Sequence, residues 1–488
     1  MRETNIKLVT FAMFVATFMT AIEGTIVTTA MPTIIGSLHG IEIMNWVFSI
    51  YLLTSAMLTP IYGKLSDRVG RKPIFIIGTA IFIIGSALCG LSTNMLTLII
   101  ARGIQGMGAG AMLPVSLTII ADMYPPEERA KIIGLTSTAW GIASVVGPLA
   151  GGLIVDTIGW GWIFFINVPI GLFLIGMISR YLIEDKRNID NGKIDILGSL
   201  TLMTVLMTML ISFQIISEDG LTILPLILLV ISLLIFIAFI KIEQKATDPV
   251  IPLSLFSSKL FVVVNLVASL ISGFLMSLDV YIPMWMQGVL GYKAGIGGMV
   301  LAPMSILWIL GSALASRFLA SKSIKWVLMV SLTLVLIGAV SLVLIPAQTP
   351  FILFVLISSL LGIGLGSTIV ATTVSSQISV PQSDLGVASS FNTLARTIGQ
   401  TLMIAVFGII MNTISENRLK AAGFKDKDIL NKLVNPQTAK NIPSDMLKPL
   451  RNILYEGIHS IFIVGIILIF LSMITVQLIK KSDEKIYD

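Results

Sequence analysis

The chain has one cysteine, Cys89, and two histidines, His39 and His459, in 488 residues. A single thiol closes no internal disulfide, and two histidines far apart lack metal-ligand spacing, so neither a disulfide scaffold nor a metal site is expected. Charge is equally sparse: Asp, Glu, Lys and Arg make up 12% of the chain, against 55% hydrophobic residues. That much apolar surface exceeds what a soluble core buries, which excludes an ordinary soluble domain. No GxxxxGK[ST] phosphate loop occurs, so ATP is not the evident energy source. A Ser/His/Asp arrangement or a metal cluster, either of which would mark an enzyme, is also missing. Short alternating segments, the mark of a membrane β-barrel, do not occur.

What remains is a series of long apolar runs, each of about 20 residues, enough to carry a helix across roughly 30 Å of hydrocarbon. They predict an all-α membrane protein with fourteen membrane helices, over 7–30, 43–63, 73–91, 95–122, 131–153, 160–182, 195–216, 221–241, 259–288, 294–320, 325–346, 351–379, 384–413 and 453–479. The first run carries Glu23 and no small-residue cleavage pattern, so it reads as an uncleaved helix and not a signal peptide. With both termini cytoplasmic, 21 of the 32 Lys and Arg fall in tails and inner loops and nine in outer loops. Eight of those nine sit in one long outer loop, 414–452, and long loops escape the positive-inside rule. The net charge of +6 thus reports topology and gives no reason to expect nucleic acid.

The two halves repeat. Gly106, Gly108 and Gly110 return as Gly362, Gly364 and Gly366 at an offset of 256, and Gly134 and Gly147 return as Gly386 and Gly399 at an offset of 252. Parallel repeats of six helices are one plan of secondary transporters, with the substrate site near mid-membrane between the halves. The helices at 195–216 and 221–241 fall outside the repeat. The expected organisation is therefore an N-terminal six-helix bundle (1–183), a two-helix linker hairpin (184–257) and a C-terminal six-helix bundle (258–488) that includes the 414–452 loop.

Several motifs stand inside this frame. The loop after the second helix runs Gly63-Lys64-Leu65-Ser66-Asp67-Arg68-Val69-Gly70-Arg71-Lys72. Its glycines allow tight turns, and Asp67 among four bases can lock helix ends by ion pairing. Arg102, in Arg102-Gly103-Ile104-Gln105-Gly106, places a guanidinium in an apolar run, where it must face the bundle and find a partner. The fifth helix carries Gly141, Gly147, Pro148, Gly151 and Gly152, small residues for close packing and a proline for a bend. Further on stand Trp160-Gly161-Trp162 through Pro169 and Gly171, and Tyr281-Ile282-Pro283 through Gln287, Gly291, Tyr292 and Pro303. Glu23 lies in Ile22-Glu23-Gly24-Thr25, and an unpaired carboxylate in apolar surroundings is disfavoured when ionised, which makes it a candidate proton carrier.

Taken together, these motifs resemble the major facilitator superfamily, and within it the fourteen-helix drug:proton antiporters. The resemblance spans nearly the whole chain and implies the major facilitator fold, with helices arranged six, two and six. It implies a gating role for Gly63, Asp67, Arg68, Gly70 and Arg71, and proton transfer at Arg102, for which a purely structural role stays open. Gly147, Pro148, Gly151 and Gly152 match the motif that separates antiporters from importers. Glu23 stands where relatives usually have Asp, and Gly161 where they often have Arg.

Adding 256 to Glu23 reaches Asp279, which suggests that the two carboxylates are pseudo-symmetry mates facing one cavity, together with Tyr281, Trp285, Asn392 and Arg396. Arg396 is either a partner for a carboxylate or a link to backbone carbonyls. Asp122, at a helix end, either caps the helix or pairs with the Arg68 loop. The expected activity is proton-coupled export of lipophilic, often cationic drugs by a monomer in the cell membrane, with the proton gradient as energy source and no cofactor. The alternative is export of one physiological solute or lipid on the same fold.

Overall fold

The computed structural model describes residues 4–124, 126–184, 195–246, 249, 251, 253–380, 385–424, 429–436 and 438–480. Among these residues, fourteen long helices run in order: α1 Ile6–Leu38, α2 Asn45–Val69, α3 Arg71–Gly90, α4 Met95–Met123, α5 Pro126–Thr157, α6 Asn167–Tyr181, α7 Ile196–Asp219, α8 Ile223–Glu243, α9 Lys259–Met284, α10 Ala302–Leu319, α11 Ile324–Leu344, α12 Phe351–Ile378, α13 Leu385–Ala421 and α14 Ser444–Gln477. Among the described residues there is no strand. Among the described residues, thirteen spans are long and apolar enough to cross a membrane, and α5 adds a shorter apolar stretch, Val145–Thr157. The protein is therefore a multi-pass, all-α membrane protein, and large apolar side chains such as Leu153 and Leu344 stay exposed on its helices.

Departures from the expected spans have local causes. The sixth span is interrupted at Ile166, between a turn at Trp162–Phe165 and α6. Pro169 has no N–H to give the Phe165 carbonyl four residues back, so the helical ladder loses a bond beside this break. The ninth span ends in a π-helical turn, Trp285–Val289, just after Pro283. The tenth starts as a short helix, Ala294–Met299, before α10 begins at Ala302 with Pro303 in its first turn. The outer loop expected over 414–452 is much shorter than that. Helix α13 continues to Ala421, α14 already begins at Ser444, and Ile429–Val434 forms a helix that buries Leu430, Asn431, Leu433 and Val434. Hydropathy stops where charge begins, but the helices continue past it, and Arg418 on α13 pairs with Glu456 on α14 at 2.5 Å.

The chain forms two compact units. One holds Met1–Ala30, Trp46–Met209 and Ile227–Val250; the other holds Met31–Asn45, Leu210–Leu226 and Ile251–Asp488. The hairpin of α7 and α8 contributes to each, and is joined by Ser232 Oγ donating to the Val205 carbonyl at 2.9 Å and Ser212 Oγ to the Pro225 carbonyl at 2.8 Å.

The glycine repeat does the same work in both units. On α4, a Cβ at Gly106 or Gly110 would overlap the carbonyls of Tyr51 or Ser55 on α2, and one at Gly108 would overlap the α3 backbone at Phe82. On α12, Gly362 and Gly366 meet the Met304 and Trp308 carbonyls of α10, while Gly364 meets α11 at Val335. Each triplet thus lets one helix touch two neighbours at backbone distance, which any side chain would prevent.

Candidate functional site

Glu23, seventeen residues into α1, is fully buried in the first unit. One carboxylate oxygen accepts from Arg102 Nη1 at 2.5 Å, and the other accepts from Asn167 Nδ2 at 2.8 Å. Arg102 and Gln105 lie three residues apart on α4 and so share a face, which brings Arg102 Nη1 within 2.6 Å of Gln105 Oε1. Gln105 Nε2 donates to Ser86 Oγ at 3.1 Å, and Asn167 Nδ2 also reaches Ser86 Oγ at 2.9 Å. Ser86 Oγ donates to the Phe164 carbonyl at 2.9 Å, at the break before α6. Arg102 Nε donates to the Val47 carbonyl at 3.2 Å, and its guanidinium carbon lies 4.0 Å from the centre of the Tyr51 ring.

This is a closed network drawn from α1, α2, α3, α4 and α6. An isolated Arg in a membrane helix costs at least about 2.5 kcal/mol on insertion scales; here a carboxylate, an amide, a carbonyl and an aromatic face share that charge. A proton arriving on Glu23 would remove the counter-charge and leave Arg102 to the weaker Gln105 and Val47 acceptors. The arrangement can therefore convert protonation into a change of helix contacts. Of its members, Asn167, Ser86 and Tyr51 carried no functional expectation. The available signal was polarity: each is a hydrogen-bonding residue inside an apolar span, and Gln105 follows Arg102 at helical spacing.

Beside the network, Gly147 and Gly151 of α5 approach α1 at Thr25 and Ile26, two and three residues beyond Glu23, and Thr25 Oγ1 donates to the Ala143 carbonyl at 3.3 Å. Pro148 and Gly152 are buried on the same helix. The motif between α2 and α3 closes on ends of three helices. Arg71 pairs with Asp122 at the end of α4 at 2.6 Å. Gly70 adopts φ 109°, which turns the chain into α3. The first amides of α3, at Arg71 and Lys72, donate to the Glu184 carboxylate at 2.6 and 3.1 Å, while Lys72 Nζ donates to the Ser179 and Leu182 carbonyls at the end of α6, both at 2.8 Å. Anion at a helix start and cation at a helix end suit both helix dipoles. Gly63 lies within α2; the side chains of Asp67 and Arg68 lie outside the described residues.

The second unit holds the other candidates. Asp279, on α9, is partly exposed and makes no hydrogen bond or ion pair among the described residues. Four residues on, Pro283 has no N–H to offer the Asp279 carbonyl. Tyr281 is fully buried and its hydroxyl donates to Asn45 Oδ1 at 3.2 Å. Trp285 is also fully buried, packed against Phe354, Tyr455 and Phe462, and its Nε1 donates to the Ala347 carbonyl at 3.2 Å. Asn392 bonds Asn265 and Thr373. Arg396 has a sealed Nε without an acceptor, and among the described residues it pairs neither with a carboxylate nor with a backbone carbonyl.

Glu23 and Asp279 are not matched by the repeat. In the first unit Gly151 of α5 meets Ile26 of α1; in the second, Met403 of α13, its counterpart at the 252 offset, meets Gly273 of α9. Ile26 to Gly273 is 247 residues, so Glu23 is level with about residue 270, nine residues short of Asp279. The offset of 256 holds for the α4 and α12 glycines alone. Between the first two helices of its repeat, the second half has six more residues, in the stretch that holds the π-helical turn and the short helix at Ala294–Met299. From Ile26 to the Ser55 contact is 29 residues, and from Gly273 to the Trp308 contact is 35.

The family profile described as Major Facilitator Superfamily matches residues 13–404. The chain is 31% identical to the multidrug transporter protein MdtP of Bacillus subtilis, over all of this chain and 96% of that protein. It is 32% identical to multidrug resistance protein 3 of the same organism, over 99% of this chain and 97% of that protein. Among solved structures it resembles a bacterial homolog of the human lysosomal transporter Spinster, with a TM-score of 0.71 at 16% identity, covering 98% of this chain and 97% of the other.

Proposed function

The chain belongs to the Major Facilitator Superfamily, and is thus a membrane transporter and no enzyme; from that premise we propose that it exports lipophilic, often cationic drugs across the cell membrane in exchange for protons. The names of the two Bacillus subtilis relatives support drug export. The observation that carries proton coupling is the Glu23–Arg102–Asn167 network, a fully buried carboxylate whose charge is balanced by one guanidinium.

In this reading the ionised Glu23 holds Arg102, and α4 with it, against α1. Protonation releases that tie, and departure of the proton restores it. Asp279, without a partner among the described residues, is a second candidate carrier. The driving force is adequate: a proton entering down about 100 mV releases about 2.3 kcal/mol, and each pH unit adds about 1.4 kcal/mol. Exchange of one proton for one monovalent cation moves no net charge and draws only on the pH difference; exchange of two protons draws on voltage as well. Both termini are cytoplasmic, and the protein works as a monomer.

The test is ethidium accumulation in inverted vesicles on imposing a pH gradient. Accumulation that collapses when the gradient is dissipated supports the reading. Accumulation indifferent to the gradient would refute it, and accumulation suppressed by a single physiological solute but by no second drug would favour the single-solute reading.

A further inference from the structure

Arg396 follows Asn392 by one turn of α13 and precedes Gly399 by three residues, so the three share a stripe. Asn392 Nδ2 donates to Asn265 Oδ1 of α9 at 2.9 Å, and Gly399 lies against the Ser269 backbone of the same helix. Arg396 therefore stands between two contacts with α9, on the protein-facing side of α13, while Thr393 beside it is exposed.

Its neighbours are occupied with one another. Thr373 Oγ1 donates to Asn392 Oδ1 at 3.0 Å, and Asn265 Nδ2 donates to Ser376 Oγ at 3.1 Å and to the Phe261 carbonyl at 2.8 Å. The guanidinium is left with five N–H donors, a sealed Nε, and no acceptor among the described residues, yet the side chain is still partly exposed. Arg102 in the first unit shows the contrast, since its charge is met by Glu23. Asp279 does not fill that role for Arg396. With Gly399 opposite Ser269, Arg396 is level with about residue 266 of α9, and thirteen residues of helix to Asp279 span roughly 20 Å.

A guanidinium inside a membrane helix that no described residue compensates is costly unless an acceptor arrives from outside. We propose that Arg396 is the recognition point for an oxyanion on the substrate, so that the exporter also takes flat, lipophilic carboxylates, gripped by two parallel N–H···O bonds. A planar fork suits a carboxylate better than a point charge does. A lipid phosphate offers related oxyanion chemistry, and lipid composition separates the two sources. The inference rests on the export reading only where transport is concerned; the binding it predicts needs no gradient.

Full-length protein in phosphatidylcholine vesicles is titrated with pyrenebutyrate and with its neutral isostere pyrenebutanol, each corrected for protein-free vesicles. Wild type should bind the carboxylate saturably and at least about tenfold more tightly than the alcohol. Arg396→Gln should erase that preference while leaving pyrenebutanol binding within about twofold, and Arg396→Lys should keep part of it. In vesicles containing phosphatidylglycerol the preference should persist. Its loss there would assign Arg396 to lipid headgroups and overturn the proposal. Absence of any carboxylate preference in wild type, or equal weakening of both probes by Arg396→Gln, would overturn it too. Ethidium export without proton coupling would refute the function proposed above and leave this result standing.

Discussion

Replacing Glu23 by Gln keeps the shape of the side chain and removes both its charge and its proton. In the native network one oxygen takes Arg102 and the other takes Asn167. The amide retains one acceptor, so one of these two donors meets an N–H instead, and Arg102 loses its counter-charge. Truncating one partner of a buried ion pair costs about 3–5 kcal/mol. Because Gln105 and the Val47 carbonyl still hold Arg102, the expected loss is at the lower end, about 3 kcal/mol. The protein should fold with a reduced melting temperature and lose pH-driven ethidium accumulation, while downhill movement of the dye continues. Removing both charges, in Glu23→Gln with Arg102→Gln, should be less destabilising than the sum of the two single changes, by about 1–3 kcal/mol. Thermal melting of the purified variants measures the coupling, and vesicle uptake measures the transport. Additive destabilisation, or pH-driven accumulation at the wild-type rate in Glu23→Gln, would refute the reasoning.

Three further outcomes are expected. Gly362→Val should lower thermal stability by about 1–3 kcal/mol through overpacking against the Met304 carbonyl, and Gly106→Val should do the same against Tyr51; stability unchanged at both would contradict the shared packing role of the triplets. Arg71→Gln should cost about 0.5–1 kcal/mol, since the pair with Asp122 is partly solvated, and should slow turnover more than it weakens drug binding; a change in affinity alone would count against gating. Asp279→Asn should reduce the protons released on binding a cationic drug and leave the Glu23 contribution intact, because the two carboxylates stand at different levels of their helices; proton release measured by a pH dye in detergent should therefore fall in part in each single variant and further in the double, and equal release in wild type and Asp279→Asn would remove Asp279 from coupling.

The helices and their number were readable because lipid imposes one requirement everywhere: about 20 apolar residues per crossing. The glycine triplets were readable because close backbone contact tolerates nothing else, and they mark the same contacts in both halves. Register was harder. An offset measured on α4 and α12 was carried to α1 and α9, where six additional residues in the second half had shifted it, and nothing local to Glu23 or Asp279 records that shift. Glu23 and Arg102 stood out as charges in apolar runs, whereas Asn167 and Ser86 complete the network as ordinary polar residues whose importance depends on three-dimensional neighbours. Aromatic residues gave no such guide: Tyr281 and Trp285 are as apolar-compatible in a packed interior as in a binding site, and both are sealed in packing. The long outer loop was overestimated because charge, and not helix propensity, sets where hydropathy ends.

Coupling between drug and proton is reciprocal: if protons drive drug, a drug gradient must drive protons. Proteoliposomes carrying a trapped pH dye and no initial pH difference are given an inward ethidium gradient. The account predicts that protons leave the lumen as ethidium enters, that the lumen becomes alkaline, and that Glu23→Gln abolishes this signal. Ethidium entry through the wild-type protein with no change in internal pH, or an equal change in Glu23→Gln, would contradict it.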